Sequence, residues 1–308
     1  MNEIRHIHKL VTYLQKRGKW RAVDILSISF LLFLTSLTLL FRQRLPSWDI
    51  LVPLYISLTV ILLFLIYANK RHGRIFEIIH DFIFPVAVVF LIFDSLGWLV
   101  HYVNPIDKDQ LLIEMDYYLL GVHPTVWLER LNNPWLTDFL QVAYSTYYFL
   151  PILLGILLKI HHKKNGFELS LFLIILCFYL SYIGYILVPA VGPRFTLDHL
   201  QTVKIEGNYV TDFIRKTLDS IEGVKRDAFP SGHTAVALVV LYLSYRFEKV
   251  LFLIFLPTIT ALIFSTVYCR YHYVVDVIAG IILAIITVYF GEKLYKRWEK
   301  RTYHSISL

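Results

Sequence analysis

Cysteine is nearly absent from this chain, since only Cys177 and Cys269 occur among its 308 residues. Neither has a second cysteine at the spacing of a metal-binding pair, so the sequence predicts no thiolate metal site. A disulfide between them is not expected either, because Cys177 lies about ten residues inside an apolar block and a bridge needs Cα atoms within ~7 Å. We therefore interpret both cysteines as packing residues.

Charged residues are also scarce, at 17% of the chain against 57% hydrophobic residues, which is outside the range of soluble globular proteins. The apolar residues form long blocks, and about 20 such residues span the hydrocarbon core of a bilayer. The first block is too long for the apolar region of a signal peptide, so we expect it to stay as a helix. The blocks cover roughly residues 22–41, 48–68, 80–103, 137–159, 167–190, 232–247, 250–268 and 272–292. The sequence thus predicts an all-α, polytopic integral membrane bundle of about eight transmembrane helices.

The basic residues alternate between the two ends of these helices. Nineteen of the 30 Lys and Arg residues lie before the first block, after every second block and after the last one. Because cytoplasmic loops carry the excess of positive charge, both termini are predicted to be cytoplasmic and residues 191–231 to form an outer loop. Contact between the basic flanks and anionic membrane lipid accounts for the net charge of +7, so no nucleic-acid partner is expected.

Three regions follow from this pattern. The core holds segment 104–136, which we interpret as short helices at the outer interface because amphipathic aromatic rings are favoured there. Its outer loop is expected to contain a short surface helix over about residues 210–221. The predicted regions are 1–75 (a cytoplasmic amphipathic N-terminus plus two extra transmembrane helices), 76–298 (a six-helix membrane core) and 299–308 (a cytoplasmic tail).

Two features inside the predicted spans carry polar groups. Asp94 falls near the middle of the third block, where an ionisable group is costly, so we expect it to face the protein interior. Tyr144, Tyr147 and Tyr148 recur at helical spacing on one face of the fourth block. They are interpreted as aromatic packing, with a headgroup site as the alternative.

The most informative stretch is Phe229-Pro230-Ser231-Gly232-His233, between the outer loop and an apolar block. Its proline, serine and glycine favour a helix start whose first amide groups point outward, and such a start binds a phosphate-sized anion. His233 would stand in the first turn, where it can give or take a proton. A Pro-Ser-Gly turn followed by a surface histidine is the alternative reading.

Other outer segments carry groups suited to the same anion. The exit from the fifth block holds two prolines and a glycine, which present Arg194 on a rigid stem, and Arg226 precedes the central run. His272 and Asp276 are four residues apart, so on a helix the carboxylate can hold the imidazole in one tautomer. The alternative is a buried His-Asp pair whose hydrogen bond is only structural. All of these groups lie on one predicted side of the membrane, which allows them to meet.

These motifs resemble a known family. Phe229-Pro-Ser-Gly-His233, followed about forty residues later by His272-x-x-x-Asp276, is similar to the type 2 phosphatidic acid phosphatase superfamily of membrane phosphotransferases. The similarity covers roughly the third to the eighth predicted helix. The resemblance implies that His233 protonates the leaving group, while His272, oriented by Asp276, attacks phosphorus and forms a phosphohistidine.

The chain departs from the usual motifs of that superfamily at two places. Leu187 stands where the first motif has a lysine, and Phe195 follows Arg194 where the family has a proline. The third motif begins Ser265-Thr266 in place of Ser-Arg, and we expect Arg270 to replace the missing arginine. These departures, with Gly192-Pro193-Arg194-Phe195 and the segment from Asp116 to Trp127, resemble the branch that contains fungal inositol phosphorylceramide synthase.

The expected chemistry is phosphoryl transfer at a lipid phosphate. Charge on the phosphate oxygens would be met by preorganised donors, which usually supply the largest catalytic contribution. The outer loops lack a compact acidic cluster, so neither a magnesium site nor any other cofactor is predicted. Zinc held by His233, His272 and Asp276 remains a minor alternative. The predicted donors are Arg194, Arg226, Arg270, the Ser231 hydroxyl and the amide groups at Gly232.

Three functions compete at this stage. The first is a lipid phosphotransferase that moves a phosphate-linked headgroup from a phospholipid to a lipid alcohol. The second is a lipid phosphate phosphatase, which uses the same residues with water as the acceptor. The third is a transporter that uses Asp94 and the histidines as a relay, and it is disfavoured because the polar residues gather at the outer surface.

Overall fold

The computed structural model describes residues 20–69, 73–221 and 226–304. The amphipathic segment predicted before residue 20 therefore lies outside the described residues. The described part is built from α-helices with short 3₁₀ and π turns between them, which confirms the predicted all-α membrane bundle. The helices that correspond to the predicted apolar blocks are α1 (Ala22–Leu40), α2 (Trp48–Asn69), α4 (Phe84–Val103), α7 (Pro134–Ser145), α8 (Leu150–Ile160), α9 (Lys164–Leu187), α12 (Gly232–Phe247), α13 (Lys249–Tyr268) and α14 (Val274–His304). The other helices are α3 (Arg74–Ile78), α5 (Asp109–Leu120), α6 (Pro124–Trp127), α10 (Pro193–Thr196) and α11 (Thr211–Ile221).

Within the described residues, six helical segments are long and apolar enough to cross a bilayer. α7 and α8 form a seventh crossing if they are counted as one span, which is bent by 51°. The sixth predicted block, residues 232–247, is α12, a helix of 16 residues that is shorter than a normal span. The six segments are Ala22–Leu40, Trp48–Asn69, Arg74–Val103, Lys164–Leu187, Lys249–Tyr268 and Val274–Lys300. The chain is thus a multi-pass membrane protein.

The helices divide into two compact units, residues 1–90 with 290–308 and residues 91–289. In the first unit, α1 packs on α2, and the start of α1 is held by a buried ionic cluster. Arg21 pairs with both Asp24 (3.0 Å) and Asp81 (2.5 Å), and Nε2 of His80 lies 2.9 Å from Asp24. Because every charge in this cluster has a partner of opposite sign, its burial is tolerated.

The second unit contains every predicted site residue. Its centre is α12, which packs between α9 and α13, while α13 also contacts α7. The segments predicted as short outer helices are helical, as α5, α6 and a 3₁₀ turn at Leu128–Leu131, and α11 confirms the predicted surface helix. Cys177 and Cys269 are both buried and unpaired.

The expectation for Asp94 is wrong. α4 buries Ile92, Leu96 and Leu99, which lie three or four residues apart and so share one face of the helix. Asp94 falls off that face and its side chain is exposed. The sequence shows that an ionisable residue lies within an apolar block, but it does not show which face of the helix is buried.

Candidate active site

The two histidines singled out in the sequence lie side by side. His233 is the second residue of α12, and His272 stands in the short turn between α13 and α14. Their ring centroids are 5.8 Å apart, and their exposed fractions are only 9% and 4%. The expected convergence of the two imidazoles is therefore confirmed. A separation of this size leaves room for the rings to approach one phosphorus atom from different sides.

The hydrogen bonds of His272 fix its tautomer. Nδ1 lies 2.8 Å from the backbone carbonyl of Ala228, and a carbonyl oxygen only accepts hydrogen bonds. Nδ1 must therefore carry a proton, and in the neutral imidazole the lone pair is then on Nε2. A neutral imidazole with an unprotonated nitrogen is the form that can act as a nucleophile.

Asp276 supports the same imidazole from the first turn of α14. Its Oδ2 lies 3.4 Å from Nδ1 of His272, further away than the Ala228 carbonyl, and also accepts the Tyr273 backbone N–H at 2.8 Å. The carboxylate is completely buried. Asp276 is therefore placed to stabilise positive charge on His272, while the carbonyl of Ala228 makes the shorter orienting bond.

The serine and glycine before His233 build the start of α12. The Oγ of Ser231 accepts the Thr234 N–H at 3.3 Å as the N-cap, and the Ser231 N–H donates to the carbonyl of Asp276 at 3.0 Å. A Cβ on Gly232 would stand 2.3 Å from the hydroxyl oxygen of Tyr185, so a larger residue there requires the Tyr185 side chain to move. The helix thus starts at Gly232, two residues after the proline that was expected to open it.

Arg194 lies in α10, next to the turn that carries His272. Gly192, just before this helix, has φ +92°, and a Cβ there would stand 2.7 Å from the carbonyl oxygen of Tyr271. Only glycine adopts this conformation at so close an approach. The rigid exit predicted from the two prolines therefore packs against the histidine turn. Arg194 itself is half-buried, with its guanidinium 5.5 Å from the ring of Phe195.

The other two predicted arginines make ion pairs in the structure. Arg226 forms a bidentate pair with Asp107, at 2.6 and 3.2 Å. Arg270 is buried and donates to Glu129 (2.6 Å), to Gln201 (2.9 Å) and to a backbone carbonyl. These bonds join the histidine turn to the segments at 128–131 and 201–203. The contacts favour a bracing role for Arg270, whereas Arg194 lies in the helix packed against the histidine turn.

Two carboxylates of α5 support the site, and the sequence analysis gave them no such role. Asp109 accepts from the backbone N–H groups of Val191 and Gly192 and from the Tyr273 hydroxyl, at 2.8–2.9 Å. Asp116, two turns further along, accepts from the backbone N–H groups of Val274 and Val275 at 2.9 and 2.8 Å. Asp116 therefore caps α14, the helix that bears the catalytic candidate Asp276. The spacing of seven residues was the available signal, because it places both carboxylates on one face.

Asp227 is the third carboxylate that sequence reasoning missed. It is half-buried in the loop before α12 and interacts electrostatically with His272. Desolvation raises the pKa of its carboxyl above the usual range, and the neighbouring imidazole opposes part of that rise. A carboxylate at this point can add to the stabilisation of a cationic His272.

A family model for the PAP2 superfamily matches residues 111–290, more than half of the chain. The chain belongs to the PAP2 superfamily. It is also similar to a PA-phosphatase related-family protein of Dictyostelium discoideum, with 27% identity over 206 residues. That alignment covers 60% of this chain and 36% of the relative, so the chain spans little more than a third of the relative's length. No solved structure matches the chain.

The part that matches the PAP2 model contains His233, His272, Asp276, Asp116 and Asp227. Within the ranges that the structure describes, no group of three or more His, Cys, Asp and Glu side chains is arranged to hold a metal ion. The site of this PAP2 protein is therefore best described through its two imidazoles and the carboxylates beside them.

Proposed function

We propose that this protein is an integral membrane lipid phosphotransferase that acts through a phosphohistidine at His272. The observation that carries the proposal is the pairing of the two imidazoles: Nδ1 of His272 donates to the carbonyl of Ala228, and the ring centroids of His272 and His233 are 5.8 Å apart. A nucleophile and a proton donor on adjacent rings are the minimum that phosphoryl transfer through a covalent intermediate requires.

The reaction runs in two steps. Nε2 of His272 attacks phosphorus in line, the bond to the leaving oxygen breaks, and His233 gives its proton to that oxygen. In the second step an acceptor hydroxyl attacks phosphorus, the N–P bond breaks, and His233 takes the hydroxyl proton. Asp276 and Asp227 stabilise the positive charge on His272 between the steps. Arg194, Ser231 and the amide groups at the start of α12 are the proposed donors to the phosphate oxygens.

We propose a lipid alcohol as the acceptor, as in inositol phosphorylceramide synthase. The support is the resemblance of Gly192-Pro193-Arg194-Phe195 and of the segment from Asp116 to Trp127 to that branch. The structure gives this segment a role at the site, since Asp116 caps α14. Hydrolysis with water as the acceptor is the second candidate, and the name of the Dictyostelium relative, a PA-phosphatase related-family protein, favours it.

Product analysis separates the two candidates. Purified protein is incubated with labelled phosphatidylinositol, phosphatidic acid or a polyprenyl diphosphate, with and without ceramide or diacylglycerol. A new phospholipid that forms only when an acceptor is added supports transfer. Free phosphate or phosphoinositol that is independent of acceptor identifies a phosphatase, and the absence of turnover with all three lipids contradicts the proposal. His272→Ala is the control for contaminating activity.

We also propose that the chemistry needs no metal ion. The proposed steps use only imidazole, carboxylate and guanidinium groups of the chain, together with backbone amide groups. Activity should therefore persist after incubation with EDTA and dialysis. Loss of activity that zinc or magnesium restores would contradict this part of the proposal and would favour the metal-bound alternative for His233, His272 and Asp276.

A further inference from the structure

The imidazole of His233 lies between two tyrosine rings. The centroid of Tyr144 is 4.4 Å from that of His233 with an interplanar angle of 26°, and the centroid of Tyr147 is 4.1 Å away at 37°. At such distances and angles each tyrosine covers a face of the imidazole. Two rings cannot occupy the same face, so the tyrosines enclose His233 from both sides.

The break between α7 and α8 creates this enclosure. Tyr144 is near the end of α7, and Tyr147 lies in the 3₁₀ turn Thr146–Tyr148 that follows. Pro151 has no N–H for the bond to the carbonyl of Tyr147, which favours a break at this point, and the two segments meet at 51°. Both tyrosine rings are buried, at 1% and 7% exposure.

The stack continues to the other histidine. Tyr271, the residue before His272, packs on Tyr144 with centroids 4.3 Å apart and an interplanar angle of 27°. Its hydroxyl accepts a hydrogen bond from Nε2 of Gln141 at 2.8 Å, so this ring is anchored to α7 as well. The column Tyr147, His233, Tyr144, Tyr271 thus links the proton donor to the turn that holds the nucleophile.

A proton donor in this position has an electrostatic problem. His233 must be cationic before it can protonate a leaving group, yet it is buried beside a second imidazole that becomes positive during the reaction. Among the described residues, no hydrogen-bond acceptor contacts its buried Nε2. The negative faces of aromatic rings attract a cation within about 6 Å of the ring centroid, and more strongly when water is excluded.

We propose that Tyr144 and Tyr147 are positioning residues for His233: their rings fix its orientation, and their faces stabilise its protonated form until the leaving group departs. This inference rests on the proposed function, in which His233 is the proton donor. The other titratable or charged groups on the elements around His233 and its two tyrosines include His272, Tyr271, Asp227, Asp276, Arg194, Tyr148, Tyr182, Tyr185 and Cys177. These groups stay unchanged in the variants below.

The test compares variants that keep or remove the ring faces. Tyr144→Phe and Tyr147→Phe keep the faces and should retain activity close to wild type. Tyr144→Leu and Tyr147→Leu remove them, and should lose about tenfold or more on phosphatidic acid or phosphatidylinositol, since general acid catalysis contributes about 10²–10⁴-fold in total. The alkaline limb of the kcat/KM profile, where His233 loses its proton, should move to lower pH.

A leaving group that needs no proton isolates this role. On an alkyl-substituted nitrophenyl phosphate, the Leu variants should regain most of the wild-type rate, because nitrophenolate leaves unprotonated. An equal loss on both kinds of substrate with an unmoved alkaline limb would overturn the inference and leave the tyrosines as packing residues. Absence of wild-type turnover on every substrate would instead contradict the proposed function.

A shape-preserving replacement guards against misfolding of the Leu variants. Pentafluorophenylalanine at position 147 keeps the size of phenylalanine but reverses the charge distribution of the ring face. Titration of ¹⁵N-labelled histidine by NMR should show that His233 loses its proton at lower pH in this variant than in Tyr147→Phe. An unchanged titration would overturn the electrostatic part of the inference whether or not the enzyme is active.

Discussion

At the scale of single residues, two oxygen atoms lie near the Nδ1 proton of His272, and they act on the imidazole in different ways. The Ala228 carbonyl is the closer acceptor at 2.8 Å, and Asp276 lies at 3.4 Å. A backbone carbonyl orients the ring and carries no charge, whereas the carboxylate stabilises the imidazolium. The geometry therefore separates the orientation of His272, the proposed nucleophile, from its electrostatic support.

This separation predicts the effect of Asp276→Asn. The Ala228 carbonyl remains in place, so the His272 ring should keep its tautomer while the intermediate loses a neighbouring negative charge. We expect kcat to fall by about 10²–10⁴-fold, with KM changed little. Steady-state kinetics of the variant measure both constants. A large rise in KM at unchanged kcat would show that Asp276 acts on substrate binding instead.

Asp227 gives a prediction about pH. A carboxyl whose pKa is raised in the folded protein binds its proton more tightly there than in the unfolded chain, so deprotonation costs stability. Stability from this group should be present below the unfolded value of about 3.9 and be lost as pH rises through the folded pKa. Asp227→Asn does not titrate and should remove that decline.

Thermal denaturation of the detergent-solubilised protein across pH 4–8 measures the effect of Asp227. The exposed Asp212 on α11 provides a matched control, since Asp212→Asn should leave the slope unchanged. Equal slopes for wild type and Asp227→Asn would contradict the raised pKa.

These residues show where sequence reasoning succeeds and where it stops. His233, His272 and Asp276 are recognisable because their types and spacing are demanded by the chemistry. The Ala228 carbonyl is a backbone group, so its role leaves no trace in the side chain at that position. Arg270 was expected at the phosphate because of its type and place, but its partners Glu129 and Gln201 come from distant segments that no local pattern reveals.

At the scale of elements, α5 is a brace for the site and not merely an interfacial helix. Asp116 satisfies two backbone N–H groups at the start of α14, which would otherwise be buried without acceptors. Asp116→Ala should destabilise the protein by about 1–3 kcal/mol and lower kcat, because the start of α14 also carries Asp276.

Thermal unfolding and steady-state kinetics of the Asp116 variant check this prediction. Glu114→Ala on the exposed side of the same helix is the control, with an expected change within about 0.5 kcal/mol. Equal stability of the two variants would contradict a capping role. The existence of α5 and its aromatic face could be predicted from composition, whereas its attachment to α14 depends on tertiary contacts between residues about 160 positions apart.

At the scale of the whole molecule, the distribution of basic residues predicts that both termini are cytoplasmic and that the site faces outward. Cysteine labelling tests this prediction. The two native cysteines should react little with the label, because both are buried and burial raises the pKa of the Cys269 thiol to about 12. Glu206→Cys in the outer loop should react with an impermeant maleimide on intact cells. Asn165→Cys at the start of α9 should react only after permeabilisation, and the reverse pattern would contradict the predicted orientation.

The number and length of the spans follow from hydropathy for most helices, because a bilayer demands about 20 apolar residues. One departure has a local cause, since the fourth predicted block is broken into α7 and α8 next to Pro151. The short sixth block is a helix with the predicted bounds, and the Ser231 cap fixes its start at Gly232.

The most direct test of the central claim is to trap the covalent intermediate. The protein is incubated with a ³²P-labelled alkyl-substituted nitrophenyl phosphate, quenched in alkali and mapped by mass spectrometry. The account predicts an alkali-stable, acid-labile phosphoryl group on His272, absent from His272→Ala and longer-lived in His233→Ala, because the second step needs His233 to take a proton. Label that persists in His272→Ala, or turnover by that variant at the wild-type rate, would contradict the account.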